Sequence, residues 1–174
     1  MTPIRIATLL FLLFSCSKPS GDRPSKLVEI KNYTFDDVLT GVMKADLIIT
    51  ETEDSIFYSY MSNDTVVFPF VTAAIGKNSD SELRLHNDRT PIVAKKTFRL
   101  GEVDVEIAKY DFDAPDEIDE EAYVYFVKGY GLLALRGRGW FYIIHFDDGS
   151  QLGKEAMDIL DSDTTGFFVR PRHL

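Results

Sequence analysis

Three apolar runs, over 123–127, 132–135 and 140–146, are joined by Gly129-Tyr130-Gly131 and Gly137-Arg138-Gly139. Glycines at such joints supply the positive φ that tight hairpin turns require, and two so close together leave no room for a long helix. Residues 122–147 are therefore read as an antiparallel meander at the centre of the fold. In its last run Trp140, Tyr142, Ile144 and Phe146 face one way, and Phe141, Ile143 and His145 the other. A strand apolar on both faces belongs in the middle of a sheet.

Upstream, segments 47–50, 56–61, 66–73, 82–86, 97–100 and 102–109 are rich in β-branched and aromatic residues or alternate polar with apolar. Segment 102–109 alternates most cleanly, with Val103, Val105 and Ile107 opposite Asp104 and Glu106. Pro69 marks its run as an edge or a bulge. Two helices are predicted to flank the sheet. One covers about 35–45, with Thr34 as N-cap, Asp37 at the capping-box position and a stripe of Val38, Leu39, Val42 and Met43. The other covers about 151–161, with Leu152, Ala156, Ile159 and Leu160 on one face. The expected class is α+β, mostly antiparallel β.

The first twenty residues differ from the rest. Arg5 is the only charged side chain before Lys18, and 6–14 is an almost unbroken apolar run. At about 14 Å as a helix it is too short for a hydrocarbon core of about 30 Å, and it has the form of a secretory leader. Leu13-Phe14-Ser15-Cys16 resembles the lipobox of bacterial lipoproteins, and the junction resembles small Bacteroidota lipoproteins. The resemblance implies cleavage before Cys16, a diacylglyceryl group on its sulfur and an acyl chain such as palmitate on its amine. Several acyl chains hold a protein to a membrane stably where one does not. Ser17, where an aspartate would signal inner-membrane retention, implies the outer membrane, facing either the periplasm or the exterior. The expected organisation is a signal peptide at 1–15, a flexible tether at 16–26 holding two prolines, and one β-rich domain over 27–174.

Charge and cysteine content narrow the function. The 174 residues hold 19 basic and 28 acidic side chains, a net −9 that speaks against nucleic acid, whose backbone needs a basic face. Cys16 is the only cysteine, so the mature domain has no disulfide and no thiolate nucleophile.

Several clusters could carry chemistry. His145 and Asp147 share a strand face and could form an acid–base pair for an envelope hydrolase, although no nucleophile lies at a recognisable spacing. Segment 111–121 carries seven carboxylates, among them Asp111, Asp113, Asp116 and Glu117, enough oxygens for a calcium-dependent module if the loop curls. Asp161, Asp163 and Gly166 fit half of a calcium loop, but its bidentate position is Arg172. Arg136 and Arg138 flank Gly137 and could hold an anion such as a lipid phosphate. Tyr123, Tyr125, Tyr130, Trp140 and Tyr142 could form an aromatic platform for a sugar or peptide. No metal or cofactor is expected. The function this adds up to is a non-enzymatic binding module, lipid-anchored in the cell envelope, with an envelope protein or glycan as partner.

Overall fold

A computed structural model describes residues 25–34, 36–62, 70–113, 121–138 and 142–168. The leader and tether through residue 24, Pro69, Asp116, Glu117, Trp140, Phe141 and Arg172 lie outside the described residues, as does Cys16. Ten strands follow in order: β1 (Ser25–Thr34), β2 (Leu39–Glu51), β3 (Ser55–Ser62), β4 (Phe70–Gly76), β5 (Glu82–Leu85), β6 (Asp88–Leu100), β7 (Val103–Phe112), β8 (Ala122–Val127), β9 (Gly131–Gly137) and β10 (Tyr142–Asp147). Each pairs antiparallel with its chain neighbours, and β1 pairs with β10, from Glu29 against Asp147 to Thr34 against Tyr142. The sheet thus closes into an up-and-down barrel, and closure leaves no edge to protect. One helix, α1 (Gln151–Asp161), follows β10.

This corrects the α+β expectation with two flanking helices. Of that segment, residues 36–45 form the turn before β2 and the start of β2. Asp37 takes φ +56°, Thr34 N–H donates to Val38 O at 3.0 Å, and Thr34 Oγ1 accepts from Val38 N rather than capping a helix. The stripe of Val38, Leu39, Val42 and Met43 fits a helical period over only two turns. The longer pattern has period two: Met43, Ala45 and Leu47 are buried while Val42, Lys44 and Asp46 are exposed.

Inside the barrel the wall contributes apolar side chains at alternate positions. Tyr58, Tyr60, Tyr110, Phe126 and Phe146 fill the middle with rings in edge-on or tilted contact. Burial raises the phenols of Tyr58 and Tyr60, and that of Tyr110 to about 12. Their hydroxyls are all engaged with backbone: Tyr58 accepts from Gly129 N at 2.9 Å, Tyr60 accepts from Leu132 N at 2.7 Å, and Tyr110 donates to Asp80 O at 3.0 Å. The β8–β9 turn is in this way drawn against the end of the barrel.

A second core lies outside the wall. Val105, Ile107, Tyr125, Leu133 and Ile143 point outward and are covered by Ala156 and Leu160 of α1 and by Phe167 and Phe168 beyond it. Ser150 caps the helix by accepting from Gly153 N at 3.1 Å. Gly153 is itself obligatory, because a Cβ there would lie 3.0 Å from the Tyr130 ring. The remaining outer wall is mixed, with Lys44, Asp46 and Arg84 exposed beside Leu27, Val42 and Met61. The interior is packed with apolar side chains, whereas the interior of a membrane-spanning barrel is polar.

Candidate functional site

Strand register brings most of the residues singled out in the sequence onto one stretch of outer wall. In one row Asp111, Tyr123, Arg136, Ile143 and Tyr33 stand side by side on β7, β8, β9, β10 and β1. In the next row Lys109, Tyr125, Ala134, His145 and Lys31 do the same. Because side chains alternate between faces, both rows share the outward face.

Tyr123 is the hub of the first row. The Lys109 ammonium lies 3.9 Å from the centre of its ring, and the Arg138 guanidinium carbon 5.3 Å from it. Arg138 pairs with Asp111 at 3.2 Å and with Glu121 at 3.0 Å. Lys109 is different. Its side chain is buried, it donates to Phe167 O at 3.0 Å, and among the described residues no carboxylate pairs with it. Burial, with the positive charge of Arg136 added, pulls its pKa below the usual lysine value. Arg136 is half-buried and likewise has no acid partner among the described residues. Tyr125, whose phenol burial pushes up, donates to Phe167 O at 2.9 Å.

The segment after α1 is pinned by Asp163. Burial opposes its ionisation, but Lys96 Nζ at 2.6 Å, Thr165 Oγ1 at 2.6 Å and Phe168 N at 3.0 Å outweigh it and hold the carboxyl far below its ordinary value. The carboxylate proposed from the sequence for half of a calcium loop is thus the knot that lays Phe167 and Phe168 on the wall.

At the lower end of the same wall, Lys31, Tyr33, His145, Asp147, Lys154, Met157 and Asp158 line a hollow of about 160 Å³. His145 and Asp147 do share it, as their spacing on a strand required. The Asp147 carboxylate accepts from Lys31 Nζ at 2.6 Å and from Gly149 N at 2.8 Å, and the lysine bond lowers its pKa. The Tyr33 and His145 rings lie 4.9 Å apart.

The tyrosines do not make one platform. Tyr123 and Tyr125 are on the wall, whereas Tyr130 lies beneath Gly153 and donates to Phe146 O at 2.8 Å. Asp111 is taken up by Arg138, Asp113 stands where the described part of its loop ends, and no three of His, Cys, Asp and Glu gather as a metal site among the described residues. Lys109 was missed in the sequence, though a signal exists: it follows Val105 and Ile107 at the same alternation, a lysine on an apolar face. No protein-family model, curated protein or solved structure matches the chain.

Proposed function

We propose that the protein is a lipid-anchored binding module of the cell envelope that meets its partner through the outer wall of β7–β10 rather than through the barrel interior. The observation that carries it is the contrast between the two faces. The interior is packed with phenylalanine rings and with tyrosine rings whose hydroxyls are already bonded to backbone, whereas the wall holds a buried lysine and a half-buried arginine with no acid partner among the described residues. Buried charge without a partner costs stability, and such groups gather where a protein binds something. The anchor is supported by the leader and Leu13-Phe14-Ser15-Cys16.

Two variants test the two halves. Cys16→Ala is expected to move the protein from the membrane to the soluble envelope fraction. Arg136→Glu in the lipidated protein is expected to remove whatever in-cell crosslinking captures on the wild type, with membrane association unchanged. Capture that survives the charge reversal contradicts binding through the wall.

A hydrolase built on His145 and Asp147 is the weaker reading, because both Asp147 oxygens already accept bonds from Lys31 and Gly149.

A further inference from the structure

Resting on the reading of the β7–β10 wall as the binding face, we infer that Lys109 and Arg136 flank Tyr123 as an oxyanion site that takes a phosphate group. Arg136 stands directly opposite Tyr123 on β9, and the Lys109 ammonium reaches the Tyr123 ring from β7. The two cations thus stand on the strands either side of Tyr123, Lys109 over its ring and Arg136 opposite it in register. The acids that act on Lys109 are engaged elsewhere, Asp111 by Arg138 and Asp163 by Lys96. Lys109 donates one bond, to Phe167 O, which leaves N–H groups of a three-donor ammonium for a ligand. A guanidinium and an ammonium together match a phosphate in charge and in donor number. The Tyr123 ring gives the apolar side of the site.

Many described cations have carboxylate partners: Lys26 with Asp148, Lys31 with Asp147, Lys77 with Glu51, Lys95 with Asp80 and Glu106. Among the described residues Lys109 and Arg136 have none, as is true of the exposed Lys44, Lys128 and Lys154, and of these five Lys109 alone is buried. A phosphate between Lys109 and Arg136 would end the repulsion that the arginine exerts on the lysine.

The test is thermal unfolding of the purified full chain with inorganic phosphate or glycerol 3-phosphate, against sodium chloride of equal ionic strength. A ligand that binds only the folded state raises the melting temperature in proportion to its occupancy. The wild type is expected to be stabilised by at least one of the two phosphates beyond the chloride control. Arg136→Gln and Lys109→Met are expected to weaken the apparent affinity by about tenfold or more, while Lys44→Gln on β2 responds as the wild type does. A stronger response to glycerol 3-phosphate identifies a phosphoester such as a lipid headgroup as the source, and an equal response identifies free phosphate. No response beyond chloride, or an undiminished response in Arg136→Gln, overturns the assignment. Because capture of a partner through the wall is read without added phosphate, failure here leaves the binding-module reading to its own test.

Discussion

The hydroxyl of Tyr60, inside the barrel on β3, accepts the backbone N–H of Leu132 on β9 at 2.7 Å. That bond, with its neighbour from Gly129 N–H to Tyr58, joins opposite parts of the wall through the interior. It explains why an aromatic interior can also be a closed one: each ring fills space and its polar tip is satisfied.

Tyr60→Phe removes the acceptor and leaves the Leu132 N–H buried without a partner. The expected loss is about 1–3 kcal/mol in a urea or thermal unfolding experiment. The ring volume is unchanged, so a cavity cannot account for the loss.

Gly131 sits at φ +112°, and a Cβ there would collide with the Tyr60 hydroxyl. Gly131→Ala is expected to cost more than about 1 kcal/mol, since strain at positive φ adds to the collision. Gly129→Ala is the control. It also has positive φ, at +87°, but nothing lies within 4 Å of the added atom, so its loss should be the smaller of the two.

Acid unfolding should report on Asp163. Its folded-state pKa is depressed, so the stability it contributes is complete above the unfolded carboxylate value of about 4 and is lost as pH falls below it. Asp147 and Asp148 are shifted in the same direction, Asp147 by its bond to Lys31 and Asp148 by bonds to Lys26 and Ser150 that overcome burial. Asp163→Asn is expected to lose about 1.5–3 kcal/mol at neutral pH and to flatten the acid limb of the stability curve. An acid limb of unchanged slope in the variant contradicts the knot at Asp163.

Lys109 runs the opposite way. Burial lowers its folded-state pKa, so its charge opposes folding at neutral pH, and the opposition is relieved as pH rises through the folded value towards the unfolded one. Lys109→Met keeps the stem and removes the charge. The expected change is neutral or stabilising, within about 1 kcal/mol, alongside loss of the phosphate response. A large destabilisation would mean that the ammonium is there for the Phe167 carbonyl and the Tyr123 ring alone.

Much of the wall could be read from residues near one another in sequence. The glycine joints at 129–131 and 137–139 placed β8, β9 and β10, and Leu152, Ala156 and Leu160 placed α1. What escaped was decided at long range. Val38 to Met43 satisfies a helical period as well as a strand period, and only the positive φ of Asp37 and the burial of Met43, Ala45 and Leu47 against β1 and β3 choose between them. Closure depends on β1 meeting β10, a pairing that no local pattern encodes. The placing of Lys109, Tyr123 and Arg136 on adjacent strands had the same origin, since three residues on three strands become neighbours only through register.

The most direct measurement is site-specific photocrosslinking in cells, with the lipidated protein carrying the crosslinker at His145 on β10 or at Arg84 on β5, across the barrel. Capture from position 145 and none from position 84 is the result expected of a module that binds through β7–β10. Equal capture from both positions, or capture from position 84 alone, would contradict it.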